Sequence, residues 1–270
     1  MILIADSGSS TTEWRLLDGD SISQFQCIGL NPYIVDNSII TDVISQLEIP
    51  YSSVKKLHFY GAGCASSEKS EFMLSILKSI FTNADISVHS DLLAAARSLL
   101  QNNDGIIGIL GTGSNVAKYN GDIVEPFSTS MGYLLGDEGS GNALGKRLLK
   151  AYLSDSLDDD LNLKIGLDKP SILNQLYAHS FPNRYLASFS KMMFRNRNHP
   201  QIAPLIKATF DEWIEVCLLP YQITEISICG SISYYFHSEL KRSCESYGIS
   251  VNSVLEKPIA ALTLYHKAYQ

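Results

Sequence analysis

The sequence predicts an α/β protein made of two similar lobes around a central cleft, and three observations predict it. Ile2-Leu3-Ile4-Ala5 and Ile106-Ile107-Gly108-Ile109-Leu110 are apolar, β-branched runs that read as buried strands. Each leads into a turn of glycine and small hydroxyl residues, Asp6-Ser7-Gly8-Ser9-Ser10-Thr11 and Gly111-Thr112-Gly113-Ser114-Asn115, whose backbone N–H groups can approach an anion closely. Strand-like and helix-like segments alternate behind both, and no stretch rich in Pro, Gly or Ser divides the halves, which fits coupled lobes better than independent modules.

The elements follow in order. Thr12-Glu13-Trp14-Arg15-Leu16-Leu17 alternates polar and apolar, Asp18-Gly19-Asp20 turns the chain, and Ser21-Ile22-Ser23-Gln24-Phe25-Gln26-Cys27 returns it, completing a three-stranded meander. A helix is expected over 36–47, a strand over 56–60, a helix over 68–81, a strand over 84–89 and a helix over 92–100, the last rich in strong helix formers. The second lobe repeats the opening with strands over 106–110, 115–119 and 122–126 and an Asn120-Gly121 turn, though with little residue identity. A helix runs to about 153, 155–160 reads as an acidic loop, and helices dominate to 220. The last strand is expected at 225–229 and a closing helix at 259–267, with Pro258 at its start. The expected domains are 1–110 and 111–270, the second carrying a helical insertion and placing the last helix near the hinge.

Composition narrows the partner. With 270 residues, 45% of them hydrophobic, the chain can bury a large core. A net charge of −7 lacks the clustered cations that a nucleic-acid surface needs. No apolar run approaches a membrane span and no basic leader precedes Ile2, so a cytoplasmic protein acting on a small molecule is expected. Five scattered cysteines without a CxxC pair and six histidines without an HExxH pair fit neither a disulfide framework nor a zinc site.

Ser140-Gly141-Asn142-Ala143-Leu144-Gly145-Lys146-Arg147 fails as a Walker A loop, lacking the first glycine and the final Ser or Thr. Gly111-Thr112-Gly113-Ser114-Asn115-Val116 likewise lacks the last glycine of a dinucleotide fingerprint. Any nucleotide must therefore sit on the paired turns. Asp6, at a strand end, reads either as a metal-binding carboxylate or as an Asx-turn residue. Asp91, between a strand and a helix, stands at a sheet edge where open α/β folds place ligands, and equally where Ser90-Asp91 would cap the helix. Asp137 and Glu138 precede a helix, where carboxylates suit the dipole. Asn31 before Pro32 reads as a turn or a ligand contact, and Gly63 as a left-handed turn.

Taken together, Asp6-Ser7-Gly8-Ser9-Ser10-Thr11, Gly111-Thr112-Gly113-Ser114-Asn115, Ile228-Cys229-Gly230-Ser231-Ile232 and Gly136-Asp137-Glu138-Gly139-Ser140, in that set, resemble the actin-like ATPase superfamily over nearly the whole chain. Within it the likeness is to N-acetylglucosamine kinases and the related BadF/BcrA-type ATPases. The resemblance implies two ribonuclease H-like lobes, ATP with Mg2+, and an amino-sugar acceptor. It implies Asp91 as general base, Asp6 at the metal, and Ser7, Gly8, Ser9, Ser10, Thr11, Thr112 and Gly113 at the phosphates. Gly230 and Ser231 fall at the adenosine, and Asn31, Ser114, Asn115 and Asp137 at the sugar. A homodimer is implied as well. One departure is Met131-Gly132 where the family carries Trp-Gly, which bears on the sugar rather than on the phosphate chemistry. Two other readings share the resemblance. An activator ATPase would bridge an iron–sulfur cluster, for which Cys64 and Cys217 lack the pattern; a sugar-sensing regulator would carry an appended helix-turn-helix, whereas Met1 leads straight into the first strand.

Overall fold

In the computed structural model, which describes residues 1–268, the chain forms two units, each built on a five-stranded sheet flanked by helices. The first unit contains β1 (Ile2–Ser7), β2 (Thr11–Asp18), β3 (Ser21–Ile28), α1 (Asn37–Ser45), β4 (Lys56–Gly61), α2 (Ser67–Ile80), β5 (Asp85–Ser90) and α3 (Asp91–Leu100). Its strand order is β3-β2-β1-β4-β5, with the meander antiparallel and β1, β4 and β5 parallel. Leu3, Ile4 and Ala5 on the middle strand are all fully buried, as a strand covered on both faces requires. Trp14 and Leu16 of β2, two residues apart and so on one face, point into the same core, beside Phe59 and Leu57 of β4.

The second unit holds β6 (Asp104–Leu110), β7 (Ser114–Asn120), β8 (Val124–Pro126), α4 (Gly132–Leu135), α5 (Gly141–Leu153), α6 (Asp159–Ile165), α7 (Lys169–Ala178), α8 (Pro182–Ser188), α9 (Ser190–Arg195) and α10 (Ile202–Trp213), then β9 (Glu225–Cys229), α11 (Ser231–Tyr235), α12 (His237–Ser246) and β10 (Ser250–Leu255). The strand order is β10-β9-β6-β7-β8, and read from its other end, β8-β7-β6-β9-β10, it repeats the connectivity of the first sheet, so the repeat expected from the two meanders is one of topology. No helix among the described residues is long and apolar enough to cross a membrane.

Two expectations are corrected. The strand at 225–229 is not the last, because Ser250–Leu255 pairs in parallel beside it as an edge strand. The acidic stretch is not all loop, since the Asp158 carboxylate accepts from the Leu161 amide at 2.9 Å and starts α6 at Asp159. The first unit takes in residues 1–104 and 120–124, the second residues 105–119 and 125–256, and the chain returns to the first unit at 257. There α13 (Ile259–Ala268) packs on α3 and β1. The fully buried Ala94, Ala95 and Ala96 of α3 allow that approach, and the buried Tyr60 hydroxyl sits 2.9 Å from His266 Nε2.

Gly145, part of the failed Walker string, has a packing role. A Cβ at this position would stand 1.9 Å from the Leu186 carbonyl oxygen, so only glycine lets α8 lie against α5. Gly145→Ala is expected to destabilise the protein by about 1–3 kcal/mol, as overpacking does. A denaturant midpoint equal to that of the unaltered protein would disprove the close approach.

Candidate active site

In the first unit the site grows from the ends of parallel strands. Asp6 lies one residue before the end of β1, paired in register with Glu13 on β2 and Tyr60 on β4. Asp91 follows the last residue of β5 directly. Both carboxylates thus stand at the carboxyl edge of one sheet, where strand ends leave room for ligands. The capping that competed for Asp91 is done by its neighbour: Ser90 is the N-cap, its hydroxyl accepting from the Leu93 amide at 3.3 Å. Asp91 Oδ1 accepts from the Leu92 amide at 3.0 Å.

Burial pushes Asp91 up to about 6, against the backbone N–H groups of Leu92 and Asp91 itself, which favour its charge. Asp6 is pushed up to about 7, first by burial, then by repulsion from Asp91 and Glu13, with Lys257 opposing. Lys257 is ion-paired to Glu13. Crowded carboxylates, one of them held near neutrality first by burial and then by its neighbours' charge, suit a divalent cation, which would remove the repulsion. Since the Asp6 pKa is raised on folding, its contribution to stability is complete below about 4 and is lost as pH rises through about 7. Asp6→Asn is therefore expected to raise Tm at pH 8 in the absence of metal and to flatten the decline between pH 5 and 8. A lower Tm at pH 8 would contradict the crowding.

The turn between β1 and β2 is built by hydrogen bonds. Gly8 N–H donates to the Thr11 carbonyl at 2.9 Å, and Gly29 N–H to the Ser10 carbonyl at 2.9 Å. Ser7 supports this turn rather than lining it: its side chain is fully buried, accepting from the Leu30 amide at 3.0 Å and lying 2.8 Å from Thr12 Oγ1. Ser9, Ser10 and Thr11 keep outward positions. Gly29, which sequence reading missed, closes the turn from behind, since a Cβ there would meet the Gly8 carbonyl oxygen at 2.4 Å. Asn31 forms the turn its neighbour Pro32 suggests, Oδ1 accepting from the Tyr33 amide at 2.9 Å, and lies against Gly63, whose φ is +83°.

In the second unit Asp137 braces the other turn. Its Oδ1 accepts from the Ser114 amide at 3.2 Å and its Oδ2 from Asn142 Nδ2 at 3.0 Å, while the same Nδ2 reaches the Thr112 carbonyl at 3.0 Å. A Cβ on Gly113 would come within 2.8 Å of that carboxylate. Asp137 has φ +61°, an uncommon conformation for a residue with a side chain, and burial raises its pKa. Asn142, fully buried, is a second residue that sequence reading missed. Ser114, Asn115 and Asp137 share one pocket with Met131, Glu138 and Cys217. Gly230 follows β9 directly and leads into Ser231, the exposed first residue of α11.

No protein-family model matches the chain, and neither does any curated protein. Among solved structures, an N-acetylglucosamine kinase of provisional assignment from Porphyromonas gingivalis is 32% identical, with 99% of each chain covered and a TM-score of 0.90. The chain belongs to the N-acetylglucosamine kinase and BadF/BcrA-type family of actin-like ATPases. A second provisional N-acetylglucosamine kinase, from Chromobacterium violaceum, has 16% identity, 98% coverage of both chains and a TM-score of 0.68. A ROK family glucokinase from Streptomyces griseus, solved with glucose and AMPPNP, shares the fold at 13% identity, with 99% and 98% coverage and a TM-score of 0.57. In this family member the strand-and-turn order that motivated the resemblance is present in both sheets.

Proposed function

We propose that the protein is an ATP-dependent sugar kinase that transfers the γ-phosphate to a hydroxyl of an amino sugar, N-acetylglucosamine being the foremost acceptor. The observation that carries this is the pairing of Asp6 and Asp91 at the strand ends of one sheet, with Ser90 taking over the helix cap. Asp91, held near 6, is ionised at neutral pH yet basic enough to take a proton. The acceptor hydroxyl oxygen forms the new bond to the γ-phosphorus as the bond to the β,γ-bridging oxygen breaks. Asp91 receives the hydroxyl proton, and ADP leaves.

Asp6 fits a Mg2+ ion, which when bound would neutralise charge on the phosphates. On this reading the amides and hydroxyls of Gly8, Ser9, Ser10 and Thr11 in the first unit are phosphate ligands, and so are those of Thr112 and Gly113 in the second, each set able to stabilise charge on a phosphate. Gly230 and Ser231 offer backbone to adenine and ribose. On this reading Asn31 of the first unit is a sugar contact, as are Ser114 and Asn115 of the second, where Asp137 lines one pocket with them and fixes the Gly113 turn. On this reading the enzyme acts in the cytoplasm as a homodimer. Release of ADP from ATP and magnesium, assayed against a panel of sugars, is expected to rise most with N-acetylglucosamine. A rate that no sugar stimulates overturns the proposal.

A further inference from the structure

One buried side chain in the second unit joins the Gly111-Thr112-Gly113 turn to the pocket of Ser114, Asn115 and Asp137. α5 opens with Ser140 as its cap, and the amides of its first residues, Gly141 and Asn142, have no acceptor inside the helix. The turn supplies both acceptors: Gly141 N–H donates to the Gly111 carbonyl at 2.8 Å and Asn142 N–H to the Thr112 carbonyl at 3.1 Å. The turn therefore hangs on the start of α5.

The Asn142 side chain, fully buried, reaches further. Its Nδ2 donates to the Thr112 carbonyl at 3.0 Å and to Asp137 Oδ2 at 3.0 Å. A carbonyl and a carboxylate only accept, so the amide cannot be turned over without setting Oδ1 against two oxygens. Its Oδ1 is left buried without a partner among the described residues, and the orientation is dictated by the two atoms it joins. The Asp137 end is fixed as well, since Oδ1 accepts from the Ser114 amide and the Ser140 hydroxyl donates to the Asp137 carbonyl at 2.5 Å. Burial raises the Asp137 pKa, whereas the Ser114 amide, Asn142 and Lys146 favour its charge and Glu138 opposes it. The oxygen that Asn142 holds is also the one a Cβ on Gly113 would meet at 2.8 Å.

The Thr112 carbonyl and the Gly113 N–H belong to one trans peptide plane and point in opposite directions, so a carbonyl held from one side sets the aim of the N–H on the other. We propose that Asn142 is a positioning residue that ties the Asp137 carboxylate to the Thr112 carbonyl, so that the aim of the Gly113 N–H at a phosphate depends on Asp137. The inference rests on the kinase reading above and deepens it, making nucleotide binding sensitive to a residue of the sugar pocket. Donors that can reorient lose the advantage of being fixed in advance.

The test titrates AMPPNP with magnesium by calorimetry, with no sugar present, into the unaltered protein, Asp137→Asn, Asn142→Ala and the double variant. Asparagine suits the positive φ of Asp137, but with its Oδ1 on the Ser114 amide it turns an NH2 toward Asn142, donor against donor. Each single change is expected to weaken binding roughly fivefold or more, and the double variant to bind within about twofold of the weaker single one. In turnover, the loss in Asn142→Ala should fall on kcat and on the KM for ATP more than on the KM for N-acetylglucosamine. Circular dichroism and Tm check that each variant is folded, and Asn142→Ser, too short to span both oxygens, runs the same cycle if Asn142→Ala is not. Either single variant binding within about twofold of the unaltered protein, losses that multiply in the double variant, or a loss confined to the sugar KM overturns the positioning role and leaves the kinase reading intact. Failure of the unaltered protein to bind AMPPNP, or of every sugar to stimulate ADP release, overturns the kinase reading, and this inference with it.

Discussion

Asp91→Asn is expected to lower kcat by roughly a hundred- to ten-thousand-fold, the range that removal of a positioned general base produces. The amide side chain keeps the shape and one acceptor, so the bond from the Leu92 amide survives, and the helix cap belongs to Ser90 in any case. Circular dichroism and Tm should therefore stay near those of the unaltered protein while turnover collapses. The pH profile supplies a second check. A base must be ionised to act, so with Asp91 pushed up to about 6 by burial, kcat/KM should fall as pH drops through that value, and the residual activity of the variant should lack this limb. A variant as active as the parent would reduce Asp91 to a residue of the first helical turn.

Gly230→Ala is expected to be the most damaging single change to the fold. Gly230 has φ +125° and ψ 158°, a region essentially restricted to glycine, and costs of order 1–3 kcal/mol for any other residue. A Cβ would also lie 2.2 Å from the Leu110 carbonyl oxygen, which is backbone of the neighbouring β6 and cannot swing aside. Overpacking adds a similar amount, so a loss of about 3–5 kcal/mol and a fall in Tm of roughly 10 °C follow. The damage should spread to ligand binding, because Leu110 leads straight into the Gly111-Thr112-Gly113 turn. Differential scanning calorimetry reads the first effect and nucleotide titration the second. An unaltered Tm would mean that β6 and β9 do not end as closely as described.

What was legible in the sequence was whatever chemistry writes locally. Buried central strands are continuous apolar runs, and tight turns need Asp-Gly or Asn-Gly, so both meanders and most helices could be read directly. The strand Ser250–Leu255 could not: it is an edge strand, polar at Ser250, Asn252 and Ser253, and it carries a bulge between Val251 and Ser253. Non-local pairing was equally hidden. Nothing near Asp104 announces that β6 lies beside a strand more than a hundred residues later. At the candidate site, residue types were readable but divisions of labour were not. Ser90-Asp91 looked like one cap, and only coordinates separate the capping hydroxyl from the carboxylate left for other work. Ser7 looked like part of an anion turn, yet its hydroxyl is used up inside. Asp137 looked like a sugar ligand, and it also ties Ser114 to Asn142. Gly29 left no local signal, because its value lies in the absence of an atom next to Gly8.

The return of the chain to the first unit at residue 257 has a consequence for biosynthesis. The amino-terminal sheet leaves the ribosome early, but the helix that covers α3 and β1, and supplies His266 to the Tyr60 hydroxyl, is made more than 150 residues after that sheet is complete. Domains usually consolidate in the order in which they are synthesised. Here the first unit waits for the last helix, whose Ile259 and Leu262 are buried in the finished protein. A nascent chain stopped anywhere before that helix would carry Asp6 and Asp91 on a first unit that still lacks one of its covering helices.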